Sequence, residues 1–316
     1  MKNRARDFYQ PKVLNESILA FYRLQGLNKH MTGFHQFESH STYEIYVLEE
    51  GQCNYFIHNK IYDLQPGDII LLDGLTLHKS NTTSPDTYVR SMVHFSPVWL
   101  ESMLSVIGMP NLLDPFQKLN NCILRTGFDS SGQYVAEKIK WLEKQLEAID
   151  EEYKCTGKIN VLLETELKVE FLQLLIKIYK MSECQQLRVV QKKTEKKRHA
   201  ENIASWINQH YCEKVSLERI AKELNLNKYY VSHVFKEVTG YTVMQYVMEC
   251  RLIQVKYLLE MKPDQSMEDI FLSTGFESAA HFSRFFKERI GMTPTSYRKM
   301  KRSQTFDPSC SSVSKV

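Results

Sequence analysis

The sequence predicts an α+β protein of two domains, a β-rich N-terminal barrel with added helices and an all-helical C-terminal domain. Short aromatic and β-branched segments fill the first hundred residues, apolar residues recur at helical spacing from Ser131, and the last third nearly repeats itself. A length of 316 residues suits two domains. We expect domains over 1–182 and 199–302, a linker over 183–198 and a disordered tail over 303–316.

The N-terminal segments have the composition of short strands. Tyr43–Leu48, Asn54–His58 and Ile69–Leu72 are rich in aromatic and β-branched residues, and turn residues such as those of Pro66–Asp68 separate them. Short strands with regular turns are typical of an all-β sandwich or barrel.

Two helices are predicted after the barrel. Val135, Ile139, Leu142 and Leu146 form the apolar stripe of the first helix. The stripe of the second helix consists of Leu163, Leu167, Phe171, Leu174, Leu175 and Ile178. It suits intramolecular packing and a homodimer through helices in 131–182 equally well, and both alternatives stay open.

The C-terminal third contains two related segments. Ser216–Ala221 recurs as Ser266–Phe271, and Val231–Glu237 recurs as Phe282–Glu288. The offset is 50 residues before the turn and 51 after it, so the second turn is one residue longer. A helix, a tight turn and a polar second helix, present twice, are typical of two helix-turn-helix units that bind double-stranded DNA.

A spacer helix is predicted between the two units, over Val243–Met261. Nineteen residues at ~1.5 Å each give about 28 Å, close to the ~34 Å between successive major grooves on one face of DNA. A single chain can therefore read two adjacent turns of DNA.

Charge separates the two halves of the chain. Lys192 to Arg302 contains 20 Lys and Arg against 13 Asp and Glu, whereas the whole chain has a net charge of +4. A basic C-terminal half beside a mildly acidic N-terminal half favours a polyanionic partner for the former.

Cysteine usage and hydropathy indicate the compartment. The seven cysteines are scattered and form no CxxC pair, which fits a reducing cytosol. The N-terminus has no apolar segment of a signal peptide, and no run approaches 18 apolar residues. We expect a cytoplasmic protein without a membrane partner, associated with the nucleoid when bound to DNA.

The second helix of each unit presents a polar outer face once its apolar residues are directed inward. Arg284 is the best candidate to read guanine, through bidentate bonds to O6 and N7. The predicted DNA-binding residues are Lys228, Tyr229, Ser232, His233 and Lys236 in the first helix, and Ala279, Ala280, His281, Ser283, Arg284 and Lys287 in the second.

The C-terminal region resembles the DNA-binding domain of the AraC/XylS family of bacterial transcription regulators. The motifs are Gly275–Glu277, Phe282–Lys287 and Gly291–Pro294, followed by Tyr297-Arg298. The resemblance implies promoter binding, most often for activation, with RNA polymerase as a partner.

Two departures from the family pattern affect the second unit. Phe271 stands where the family usually has alanine, so we expect an altered crossing of its two helices. Ala279 and Ala280 replace common polar readers and cannot hydrogen-bond a base edge. We therefore expect weaker direct readout by the second helix outside Arg284.

The N-terminal half resembles the two motifs of the cupin barrel, a common sensor domain in this regulator family. The matching residues are Glu38-Ser39-His40, Glu44, Gly51, Pro66-Gly67-Asp68 and His78, and Asp73-Gly74-Leu75 departs from the second motif. By this resemblance Glu38, His40, Glu44 and His78 form the set that can hold a metal ion. A hydrogen-bonded cluster and a polar wall for an organic effector are the alternatives. We predict no metal or other cofactor, and an effector site that includes His40, Glu44, Tyr46 and His78.

These observations favour a sequence-specific transcription regulator, an activator without enzymatic activity, controlled by a small-molecule effector such as a sugar or related metabolite. The alternatives are a cupin-type metalloenzyme tethered to DNA and an effector-independent architectural DNA-binding protein. No cysteine cluster supports a fused repair enzyme.

Overall fold

A computed structural model describes residues 13–14, 17–26, 42–73, 76–82, 84–117, 123–184, 194–262 and 264–305. The chain divides into two compact units, Met1–Lys192 and Lys193–Val316. Within the described ranges, no helix is long and apolar enough to cross a membrane.

Among its described residues, the first unit contains two antiparallel sheets. Their strands are β1 Ile18–Gln25, β2 Tyr43–Glu50, β3 Cys53–Ile57, β4 Lys60–Leu64, β5 Asp68–Leu72, β6 His78–Asn81, β7 Val89–Phe95 and β8 Ile123–Arg125. The larger sheet has the order β1-β7-β2-β5-β8, and the smaller has the order β4-β3-β6. The predicted strands at Tyr43–Leu48, Asn54–His58 and Ile69–Leu72 are confirmed as β2, β3 and β5, except that His58 lies in the turn after β3.

The alternation of side chains in β2 separates two apolar cores. Tyr43, Ile45 and Val47 belong to a core shared with the helices of this unit. Tyr46 and Leu48 belong to a second core, shared with residues of the three-stranded sheet. Since neighbouring strand residues point to opposite faces, Glu44 lies on the same face as Tyr46, inside the barrel.

The α-helices among the described residues of the first unit are α1 Pro97–Val106, α2 Asp114–Gln117, α3 Ser130–Thr156 and α4 Val161–Cys184. The burial of the apolar stripe of α4 decides between intramolecular packing and a dimer surface, the two alternatives that the sequence leaves open. Leu167, Phe171, Leu174, Leu175 and Ile178 are buried in the core of the unit, and Leu163 packs against it. The Phe171 ring lies 4.8 Å from that of Phe95 in β7. The stripe therefore forms intramolecular core.

The second unit is helical throughout its described residues. Its helices are α5 Glu195–His210, α6 Leu217–Glu223, α7 Lys228–Thr239, α8 Val243–Met261, α9 Met267–Ser273, α10 Ala279–Ile290 and α11 Pro294–Thr305. Helix α8 has the bounds predicted for the spacer helix.

Two expected boundaries are corrected. Helix α4 extends to Cys184 and α5 begins at Glu195, so the ends of the expected linker, 183–198, are helical. The side chain of Thr194 caps α5 by accepting from the Lys197 N–H, so the polar composition of this stretch belongs to a solvated first helical turn. Helix α11 continues to Thr305, two residues past the start of the expected tail at 303. Residues 306–316 lie outside the described part.

The two repeated segments fold alike. Ser216 and Ser266 cap α6 and α9 by accepting from the backbone N–H three residues on. In the turns, the Leu226 N–H donates to the Ala221 carbonyl (2.8 Å) and the Phe276 N–H donates to the Phe271 carbonyl (3.1 Å). Asn225 and Gly275 occupy the left-handed position of the two turns, with φ of 52° and 83°.

The extra residue of the second turn is confirmed by the next caps. Asn227 caps α7 and Ser278 caps α10, an offset of one residue more than that of the preceding helices. Each second helix then ends on a left-handed glycine, Gly240 or Gly291. The structure thus contains two helix-turn-helix units joined by α8.

Candidate functional site

Helix α7 presents the first set of predicted DNA contacts. Its inner face consists of the buried residues Val231, Val234, Phe235 and Val238. Because these side chains fix the rotation of the helix, the outer face is defined. Lys228, Tyr229, His233 and Lys236 are exposed there, and Ser232 is half-buried.

Carboxylates pair with several cations of this face. Lys228 Nζ lies 3.3 Å from Glu218 Oε1 in α6, and it also lies 5.3 Å from the centre of the Tyr229 ring. His233 Nδ1 lies 3.4 Å from Glu237 Oε2. Lys196 of α5 donates to Glu237 Oε1 at 2.7 Å, and this hydrogen bond lowers the pKa of the Glu237 carboxyl.

Helix α10 presents the second set. Phe282 and Phe286 are buried, whereas Phe285 and Ile290 are partly buried and pack against the same core. The outer face exposes Ala279, Ala280, His281, Ser283, Arg284 and Lys287.

Three cations of the predicted contact set are available to a ligand. Toward any residue that the structure describes, Arg284 and Lys287 form no ion pair, and the same holds for Lys236 on α7. His281 instead packs its ring 5.8 Å from that of Phe276. Arg284, Lys287 and Lys236 can therefore contact DNA without first leaving a carboxylate of the described residues.

Phe271 lines a groove beside α10. Its counterpart Ala221 is buried, but the Phe271 ring is half-buried and stacks on Phe282 at 6.1 Å. The ring borders a cavity of about 460 Å³, which is also lined by Ala279 and Ser283 of α10. The departure from alanine thus places an aromatic ring next to two predicted DNA contacts.

The barrel interior contains a buried polar pair. Glu44 Oε2 in β2 lies 3.2 Å from His78 Nε2 in β6, and both side chains are almost fully buried. His78 Nδ1 lies 2.7 Å from the Thr76 carbonyl, which only accepts, so Nδ1 is the donor of that bond. The Tyr55 ring stacks parallel to the His78 ring at 6.3 Å.

Tyr46 belongs to a second buried group in the same barrel. Its hydroxyl lies 2.5 Å from that of Tyr88, and the Tyr46 and Tyr55 rings are 4.9 Å apart. The Arg90 guanidinium lies 5.0 Å from the centre of the Tyr88 ring. Burial raises the pKa of the Tyr46 hydroxyl well above its usual value and raises the pKa of the Cys53 thiol to about 12. These groups are therefore neutral hydrogen-bonding partners near neutral pH.

Part of the predicted effector and metal set lies outside the described residues, namely Glu38 and His40, together with Gly74 and Leu75 of the second motif. Glu44, Tyr46 and His78 lie in the same barrel interior. Within the described ranges, no group of three or more His, Cys, Asp or Glu side chains is arranged to hold a metal ion.

Sequence reasoning did not select Tyr55, Tyr88, Arg90 and His94 as site residues. His94 is buried and lies opposite Glu44 in the β2–β7 ladder. Arg90 and His94 could have been predicted from the two-residue period of β7. Both share a face with Met92, which belongs to the barrel core. Tyr55 could not be selected without knowledge that β3 pairs with β6, because this pairing places it near His78.

The fold and its two polar regions define a class of protein, a two-domain transcription regulator with an N-terminal ligand-binding domain and a C-terminal DNA-binding domain. A family model described as an AraC-like ligand binding domain matches residues 25–136. A second, described as a helix-turn-helix domain, matches residues 220–300.

Three relatives extend the match over most of the chain. The uncharacterized HTH-type transcriptional regulator YdeC of Bacillus subtilis is 23% identical, covering 87% of this chain and 89% of the relative. The Msm operon regulatory protein of Streptococcus mutans is 24% identical, covering 81% and 84%. The melibiose operon regulatory protein of Escherichia coli is 25% identical, covering 84% and 85%. The chain belongs to the AraC family of transcription regulators, as its motifs predicted.

Proposed function

We propose that this regulator activates promoters by reading successive major grooves with α7 and α10, under the control of a small organic effector bound in the barrel. The observation that carries the proposal is the pair of matched units, each with an exposed polar outer face. The protein acts in the cytoplasm without catalytic activity, and it recruits RNA polymerase when bound to the nucleoid.

The roles on DNA follow from side-chain chemistry. Arg284 is exposed and unpaired toward the described residues, and its guanidinium matches the two acceptors of guanine. Tyr229, Ser232 and His233 read bases from α7, with Lys228 at its N-terminal end. Lys236 and Lys287 neutralise phosphates. Ala279 and Ala280 contact thymine methyl groups, and His281 and Ser283 complete the second set.

Selection from random DNA with the full-length protein, followed by footprinting, tests this proposal. We expect a site with two short motifs about one helical turn apart. Arg284→Ala should weaken binding to that site by about 1–3 kcal/mol and relax the preference at one base pair. Lys287→Ala, one turn further along the same helix, is the matched control and should weaken binding to all sequences evenly. A uniform loss with Arg284→Ala would make it a phosphate contact instead.

The effector is proposed to be a sugar or a related polar metabolite. Glu44 and His78 supply a carboxylate and an imidazole, and the nearby tyrosines supply hydroxyls and aromatic faces, groups that suit a polyhydroxylated ligand. The similarity to the melibiose operon regulatory protein supports this class. Thermal-shift measurements with a panel of mono- and disaccharides should identify a stabilising ligand, and Tyr46→Phe should reduce the shift. Bound metal in the purified protein would instead support the cupin-type metalloenzyme.

A homodimer through helices in 131–182 is also proposed, with a different surface from the α4 stripe. The end of α3, the turn after it and the start of α4 expose Tyr153, Ile159, Val161 and Leu162, with Val161 at 74% and Leu162 at 65%. Leu162→Asp should shift the protein toward monomer in sedimentation velocity. Val106→Asp, on the exposed end of α1, is the control that should leave the distribution unchanged. An unchanged distribution with Leu162→Asp would exclude this surface.

A further inference from the structure

The spacer helix α8 contains a buried arginine that contacts the segment leading into the first helix-turn-helix unit. Arg251 is 7% exposed. Its Nε donates to the Tyr211 carbonyl at 2.8 Å, and its Nη2 donates to the Glu213 carbonyl at 2.9 Å. Both carbonyls belong to the segment between α5 and α6. Because a guanidinium stays charged in proteins, these directional bonds fix the segment relative to α8.

The Arg251 side chain also contacts the second helix-turn-helix unit. The Arg251 guanidinium carbon lies 6.0 Å from the centre of the Phe276 ring, in the turn between α9 and α10. Phe276 is buried in the core of the second helix-turn-helix unit, together with Leu252, Val255 and Phe282. A cation over an aromatic face at this distance is attractive. One residue of the spacer helix therefore contacts both the segment that leads into the first helix-turn-helix unit and the turn of the second.

The turn of the second helix-turn-helix unit also packs directly against the segment between α5 and α6. A Cβ atom added to Gly275 would lie 2.6 Å from the Cys212 carbonyl oxygen, so the second turn packs against the backbone of the 211–213 segment. Arg251 contacts the residues on both sides of this contact, Tyr211 and Glu213 on one and Phe276 on the other.

Stability alone does not require a charge at this position, because well-packed apolar residues often stabilise a core as well as buried ionic groups do. What an arginine adds is direction, since its planar donors match two particular carbonyls. We propose that Arg251 is a positioning residue that sets the distance and angle between α7 and α10, and thereby the spacing between the two DNA half-sites. This inference rests on the proposed function, in which both helices read DNA.

The test measures how affinity depends on half-site spacing. Full-length wild type and Arg251→Leu are titrated with the selected site, with sites lengthened or shortened by one base pair between the motifs, and with each half-site alone. We expect wild type to lose about tenfold in affinity when the spacing changes. Arg251→Leu should lose less than about threefold while binding single half-sites like wild type.

Arg219 offers a matched control. It donates to the Lys214 carbonyl and to Glu213 from the first unit, next to the same segment. Its cation–aromatic contact is with Trp206 of α5. Arg219→Gln should therefore keep the wild-type dependence on spacing. Phe276→Leu, which keeps an apolar side chain but removes the ring under Arg251, should shift the dependence in the same direction as Arg251→Leu.

Two results would overturn the inference. A wild-type spacing profile in Arg251→Leu, or losses at single half-sites equal to those at the full site, would make Arg251 a purely structural residue. If Arg251→Leu does not fold, Arg251→Lys, which keeps the charge but not the planar pair of donors, takes its place with the same expected profile. If the wild-type protein binds sites of every spacing equally, the proposal that α7 and α10 both read DNA is overturned, and the inference with it.

Discussion

Gly275 allows the packing between the second turn and the 211–213 segment to be measured as a free energy. Its φ is +83°, and an added Cβ would lie 2.6 Å from the Cys212 carbonyl oxygen and 2.8 Å from its carbon. The left-handed backbone costs alanine about 1–2 kcal/mol. Forcing the Cys212 backbone away adds about 1–3 kcal/mol, as overpacking does elsewhere. Gly275→Ala should therefore lower the free energy of unfolding of this unit by about 2–5 kcal/mol.

Gly291 provides the control for the backbone cost alone. Its φ is +80°, and a Cβ added there meets nothing within 4 Å. Gly291→Ala should therefore cost only the ~1–2 kcal/mol of the left-handed conformation. The difference between the two variants isolates the contact with Cys212.

Trp206 reports on the unit that contains both glycines. It is buried in α5, and the other two tryptophans, Trp99 and Trp141, lie in the first unit. Urea unfolding followed by Trp206 fluorescence, with Trp99 and Trp141 replaced by Phe, gives the free energies directly. Equal losses in Gly275→Ala and Gly291→Ala would refute the tight packing between the turn and the 211–213 segment.

Three further predictions concern local interactions. Ser216→Ala and Ser266→Ala should each destabilise the second unit by about 1 kcal/mol through loss of a helix cap, measured by the same urea unfolding. Glu44→Ala should destabilise the first unit by about 3 kcal/mol, because it leaves His78 buried without its carboxylate; thermal unfolding of the full chain with no sugar added checks this, and an unchanged midpoint would contradict it. Burial raises the pKa of the Glu49 carboxyl, so the folded chain binds its proton more tightly than the unfolded chain. Stability from this group should rise as pH falls through the folded pKa, and Glu49→Gln should remove that rise in unfolding free energies measured from neutral pH to about pH 5.

The features predicted well from the sequence are those that local interactions determine. Helix α8 begins and ends as predicted, since Thr242 forms a capping box with Gln245 and the apolar period runs to Met261. The repeat predicted both turns, including the extra residue before α10, because cap and turn residues act over three or four positions.

The features that were missed depend on contacts distant in sequence. The α4 stripe packs against strands far from it in the sequence, as in the contact between Phe171 and Phe95 of β7, so periodicity alone could not separate core from dimer surface. The start of α5 was read as linker because a solvated helical turn and a linker share the same charged composition. The contacts of Arg251 with Tyr211 and Phe276 needed the packing of three segments, which no spacing in the sequence encodes.

The two outer faces differ in how their charge is held, and this bears on how each contributes to binding. On α7, Lys228 and His233 are paired with Glu218 and Glu237, so they must leave carboxylates to contact DNA. Exposed pairs of this kind are weak, so the exchange is easy but returns little net charge to the phosphates. On α10, Arg284 and Lys287 form no ion pair with the described residues and need no such exchange. Under the proposed function we therefore expect α10, with two unpaired cations toward the described residues against the one of α7, Lys236, to supply the larger share of the salt-dependent affinity, and α7 to supply most of the base readout.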